Sequence, residues 1–283
     1  MSKLFEALQR LRGAKPHLRD RLGLKYKRWY DISQWSESLE IARTRAPDAD
    51  DFNRAWSKLS VAHTSSLMAL VAYFGEKPPL ARQYAKQSLE ETMEFLFGDW
   101  RNTYMTEEGR PDPKYWKRCF SWMSEFESAL LWGSILGEWK TLQQVGTFPE
   151  PESHIDGGYR PQERDVLVAL GAFLCNATDL PVKLERAATG RGKTCRFILE
   201  MIEACAARDH KSLQKTLLQF LAHYQKMDFP KEDITRKVSF KGTFFFHWAS
   251  KEGLSVRVPA EYSDHIVPRD LIPHNEPTDL TST

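Results

Sequence analysis

Apolar residues recur at intervals of three and four along most of the chain, and the pattern is strongest between Pro113 and Trp139 (PKYWKRCFSWMSEFESALLWGSILGEW). Cys119, Met123, Phe126 and Leu130 share one face of the first half of this stretch, while Ala129 to Leu136 is apolar nearly all round. That distribution is expected of a helix enclosed by other helices. Pro113 suits a first helical turn, where its missing N–H would have no partner anyway. Gly133 and Gly137, four apart, predict a close approach of a neighbouring helix backbone. The stretch is too short and too interrupted by charge to span a bilayer, so it reads as the core helix of an all-α protein.

Weaker versions of the same period flank it. Ser2 to Arg12 predicts a short basic amphipathic helix stopped by Gly13, and Lys25 to Arg45 a second helix with Trp29, Ile32, Trp35 and Leu39 on one face. After Ala46-Pro47-Asp48, Asp50 or Asp51 can cap a helix reaching about Phe74 through Phe52, Trp56, Leu59, His63, Leu67 and Leu70. Gly75 and Pro78-Pro79 read as a turn, and Leu80 to Phe97 as a helix with Tyr84, Leu89, Met93 and Leu96 inward and Glu90, Glu91 and Glu94 outward.

Beyond the core helix, Gly146 to Pro161 is loop-like, and helices are predicted over Pro161–Asn176, Lys193–Arg208, His210–Met227 and Ser239–Lys251. The chain then runs extended through Val256 to Pro259, and from Pro273 it is polar. No fixed repeat length emerges. The expected architecture is an irregular stack of antiparallel helical hairpins with a short extended C-terminal segment. It forms one helical domain over 1–272, with 146–161 as the place where two lobes could part, and a polar tail over 273–283.

Composition narrows the function classes. Hydrophobic residues make up 41% of the 283 positions and there are nine tryptophans, enough for a packed core rather than a disordered chain. A net charge of +2 argues against a protein dedicated to nucleic acid. The basic residues are concentrated in residues 1–30, which hold nine Lys or Arg against two acids. Met1 to Leu11 lacks the hydrophobic region of a signal peptide, which predicts a cytoplasmic protein. Cys119, Cys175, Cys195 and Cys205 form no CxxC pair and read as buried free thiols.

Catalytic signatures are weak throughout. Ala187 to Thr194 (AATGRGKT) has Ala where a phosphate loop needs Gly, and LPVKLERAA before it reads as helix rather than strand, so the string is a glycine turn leading into the next helix. HExxH, GxSxG and EF-hand patterns do not occur. Glu90, Glu91, Glu94, Glu125 and Glu127 could supply carboxylates to a metal site in a bundle, but no Glu has His three residues on, and a solvated acidic face is the simpler expectation. His63, on an apolar face without a ligand at i+3 or i+4, reads as a satisfied core histidine. No catalytic, cofactor-binding or metal-binding residue is therefore assigned, and no cofactor is expected.

Lys237 to Ile272 (KVSFKGTFFFHWASKEGLSVRVPAEYSDHIVPRDLI) carries a late helix with Trp248 and Ala249, a turn at Gly253, then Pro259, Tyr262 and the Pro-x-x-Leu of Pro268 and Leu271. This ending resembles the immunity protein 49 family, all-helical immunity proteins of bacterial polymorphic toxin systems. The resemblance implies a non-enzymatic protein that binds and neutralises a cognate protein toxin. It transfers no contact residue, although the Glu90–Glu94 face and the Trp100–Asp112 loop are candidate surfaces, and neither nucleic acid nor membrane is expected as partner. Two alternatives stand beside it. One is a hydrolase-like helical enzyme using His63 or His223 with a nearby carboxylate in an inter-helix pocket. The other is an adaptor that touches nucleic acid or a membrane surface through residues 1–30.

Overall fold

The computed structural model describes residues 51–74, 77–98, 122–148, 161–190, 192–227 and 237–267. The helices predicted over Ser2–Arg12 and Lys25–Arg45, the loop at Trp100–Asp112, residues 113–121 of the core stretch and the tail lie outside these residues. Nine α-helices and one 3₁₀ helix occupy the described chain, without a strand. They are α1 (Asp51–Phe74), α2 (Pro78–Phe97), α3 (Trp122–Leu136), α4 (Trp139–Gly146), α5 (Pro161–Leu174), α6 (Leu180–Ala188), α7 (Lys193–Ala206), α8 (His210–Gln225) and α9 (Phe240–Lys251), followed by the 3₁₀ helix Ala260–His265.

The helices form an irregular stack of hairpins. α1 and α2 pack side by side, as do α7 and α8, and α3 touches α2, α4, α5 and α9. Lys58 meets Glu91 at 3.0 Å, and Ser88 donates to the Ala62 carbonyl at 2.8 Å, so α1 and α2 run antiparallel. Enclosure of α3 follows from its sequence: Met123, Phe126, Ala129, Leu130, Leu131, Trp132 and Ile135 are all buried. One contiguous cluster of buried residues runs from Leu59 to Val267 and includes residues on both sides of 149–160.

Helix ends obey local rules that are visible in the sequence. Gly137 (φ +75°) and Gly253 (φ +71°) adopt the left-handed conformation just beyond α3 and α9. At Gly137 the Glu138 N–H reaches back to the Gly133 carbonyl at 2.8 Å, the closing bond of a Schellman turn. The core helix therefore stops at Leu136 rather than continuing to Trp139, and α4 starts as a separate element. Gly133 does not admit a helix backbone. Instead it makes room for the Leu142 side chain of α4, whose Cδ2 would lie 2.6 Å from a Cβ at that position. The close backbone approach occurs between Gly146 and Gly171, which join α4 to α5.

Other boundaries differ from expectation in small ways. Pro78 and Pro79 form the first turn of α2 rather than a preceding loop, because the first helical N–H groups need no intrahelical acceptor. Ser239 and Asp209 cap α9 and α8 with side-chain oxygens that accept backbone N–H groups. LPVKLERAA is helical, as α6.

The extended segment after Gly253 has no sheet partner among the described residues. Leu254, Val256 and Val258 pack on the core, and the Gln214 side chain of α8 clasps Arg257 by accepting its N–H at 2.6 Å and donating to its carbonyl at 2.8 Å. A single amide thus satisfies the backbone that a neighbouring strand would otherwise satisfy.

Candidate functional site

Two polar arrangements stand out, and they lie on different parts of the stack. The first is a groove of about 660 Å³ lined by α2, the α3 end and α4. Its floor is a stripe of Leu89, Met93 and Phe97, each four residues after the last, joined by Leu136. At 1.5 Å rise per residue this stripe is roughly 12 Å long. Leu89 is buried and the other three are half-buried. Phe97 is held edge-on by Phe148, with ring centroids 5.7 Å apart.

Carboxylates of two elements line the same groove. Glu90 and Glu94, one turn apart, project from α2, and Glu138 stands at the start of α4 with Thr141 and Gln144 beyond it. All three carboxylates are solvent-exposed. Lys86 is the one cation among the described lining residues, and it lies 3.6 Å from Glu90. The groove therefore offers apolar surface inside an electronegative border.

The second arrangement joins α1 to α3. His63 Nε2 lies 3.0 Å from Glu125 Oε1, which also accepts the Ser124 hydroxyl at 2.8 Å. The Glu125 side chain is 1% exposed, whereas the His63 ring, although densely surrounded, keeps 46% of its surface in water. His63 is thus not a core histidine, and Glu125 is not part of a solvated acidic face. Burial lowers the His63 pKa, but the hydrogen bond and the negative charge of Glu125 outweigh it and hold the value above the ordinary 6.5. Glu125 Oε2 and the hydroxyls of Ser65 and Ser128 are buried without a hydrogen-bond partner among the described residues.

A histidine oriented by a buried carboxylate is a known arrangement for general-base chemistry. In a nucleophilic triad, however, the hydroxyl and the carboxylate bond opposite nitrogens of the ring. Here Ser124 and His63 converge on the same carboxylate oxygen, so Ser124 is not held for attack. His223 has a different partner: its Nε2 is 3.2 Å from the Thr194 hydroxyl, and burial and the charges of Lys193 and Lys226 lower its pKa.

The remaining acidic candidates separate. Glu91 pairs with Lys58 and Glu127 with Lys241, so the five carboxylates do not gather, and no cluster of three or more metal-ligating side chains occurs among the described residues. Cys195 and Cys205 are buried and Cys175 half-buried, all as free thiols, with burial and the charge of Glu252 raising the Cys205 pKa. No described helix is long and apolar enough to cross a membrane.

The acidic half of the groove was legible in the sequence as the outward face of α2. Glu138, Thr141 and Gln144 were not, because their position depends on the turn at Gly137. Comparison with protein-family models, curated proteins and solved structures yields no significant match.

Proposed function

We propose that this protein binds and neutralises a cognate protein toxin without catalysis, acting in the cytoplasm of the producing cell, with the groove of α2 and α4 as its contact surface. The observation that carries the reading is the groove itself, an apolar stripe flanked by three exposed carboxylates. An apolar centre supplies affinity through desolvation, and a charged border steers encounter and selects the partner. The described lining residues contain no histidine and no hydroxyl–imidazole pair, which suits recognition better than turnover. The ending from Trp248 to Leu271, with its resemblance to all-helical immunity proteins, supplies the class of partner.

The test is co-expression with the toxin domain encoded by the adjacent gene. Growth protection together with a co-purifying complex is expected. A soluble protein that neither protects nor forms a complex at micromolar concentration would sink the reading.

A hydrolase-like second reading is favoured by one observation, the pairing of half-exposed His63 with buried Glu125. It predicts that His63→Ala abolishes a measurable activity while leaving the fold intact. The binding reading predicts that toxin protection survives the same substitution.

A further inference from the structure

We infer that the occupant of the groove is a basic amphipathic helix of the partner protein. The inference rests on the binding reading and adds the chemistry of the bound segment. Three features of the groove select that chemistry.

First, its floor repeats at the helical interval. Leu89, Met93 and Phe97 present one ridge, and a ridge at i, i+4, i+8 accepts the apolar stripe of another helix. Second, the length suits two to three helical turns, roughly 12 Å. Third, the lining charge comes from two elements. Glu90 and Glu94 stand on α2 and Glu138 at the start of α4, and the only cation among the described lining residues is already near Glu90. A helix with Leu, Ile or Met at i, i+4 and i+7, and Lys or Arg on both flanks of that stripe, places apolar groups on the floor and cations against the carboxylates. An acidic helix meets repulsion from both elements. An uncharged one leaves the carboxylates without partners, and specificity then falls to the apolar floor alone.

The full-length protein can be tested with a 15-residue synthetic helix of Leu and Lys, Leu at the i, i+4, i+7 positions, and with the same peptide carrying Glu in place of Lys. Fluorescence anisotropy reads their binding. The Lys peptide is expected to bind and the Glu peptide to fail. Glu90→Lys with Glu94→Lys should weaken the Lys peptide at least tenfold, as should Met93→Asp, while the matched reversal Glu200→Lys with Glu203→Lys on α7 should change it less than twofold. Circular dichroism on each variant separates loss of binding from loss of fold.

Equal weakening by the two charge reversals means diffuse attraction and overturns the inference. So does binding that ignores Met93→Asp, or a concentration-dependent dimer that disappears in Glu90→Lys with Glu94→Lys and so marks a second copy as the occupant. Toxin protection, measured on the same variants, separates the two levels. Protection that persists when the peptide no longer binds moves the toxin to another surface: it removes this inference and the groove as contact surface, and leaves neutralisation standing. Absence of protection by the wild type removes the function, whatever the peptide does.

Discussion

His63 of α1 and Glu125 of α3 meet at 3.0 Å across 62 residues of chain, with the carboxylate buried and the imidazole half in water. The pair ties two helices that both pack on α2, and it makes the tie sensitive to pH. The folded-state pKa of His63 lies above the ordinary 6.5, so the folded state binds this proton more tightly than the unfolded chain does. Its contribution to stability is therefore fully present below about 6.5 and is lost as pH rises through the folded value. Urea unfolding of the wild type and of His63→Gln between pH 5 and 9 checks this. The difference between them should shrink as pH rises, and a difference that grows with pH would refute the assignment. At pH 6, His63→Gln should cost about 1–2 kcal/mol, less than the 3–5 of breaking a fully buried pair because half of the ring is solvated.

The indole N–H of Trp132 donates to the Ser66 hydroxyl at 2.8 Å in the same α1–α3 seam, and both residues are buried. Ser66→Ala removes the acceptor and strands a buried donor, which costs about 1–3 kcal/mol. Trp132→Phe in the Ser66→Ala background removes the stranded donor. The double variant should be less destabilised than the two single variants summed, and strict additivity in a double-mutant cycle would count against the bond.

Gly146 and Gly171 sit at one helix contact but respond oppositely to a methyl group. A Cβ on Gly146 would lie 2.6 Å from the Gly171 carbonyl oxygen, a backbone atom that cannot rotate away, so Gly146→Ala should destabilise by about 1–3 kcal/mol. A Cβ on Gly171 meets nothing closer than 3.5 Å, and the position is inside α5. Gly171→Ala should be neutral or stabilise by up to about 1 kcal/mol through helix propensity. Thermal melts should show a lower midpoint for Gly146→Ala and an unchanged or higher one for Gly171→Ala.

Asn176 (φ 52°) and Arg208 (φ 54°) hold left-handed backbone where α5 and α7 end, each closing a Schellman turn through Ala177 to the Ala172 carbonyl and Asp209 to the Ala204 carbonyl, both at 2.8 Å. Glycine carries no steric penalty there. Asn176→Gly should raise the melting temperature, with a gain of about 0.5–1 kcal/mol. Arg208→Gly should gain similarly on the backbone but give up the contact of Arg208 with Glu252 at 3.4 Å. A lower melting temperature for Asn176→Gly would show that its side chain matters more than its φ.

The sequence by itself determined most of the elements, though not α4 or the 3₁₀ helix. Apolar period located α1, α2, α5, α7, α8 and α9 to within a few residues, the all-round apolarity of Ala129 to Leu136 marked the enclosed helix, and Gly253 marked the turn after α9. These are local properties: spacing along one helix and the φ preference of one residue fix them wherever the helix is placed. Tertiary structure alone decided that His63 leaves the core to meet Glu125, that Gly133 receives a leucine rather than a backbone, and that Glu138 lines the same groove as Glu90 and Glu94. Each depends on how one helix is rotated and crossed against another, and periodicity within a helix carries no information about that angle.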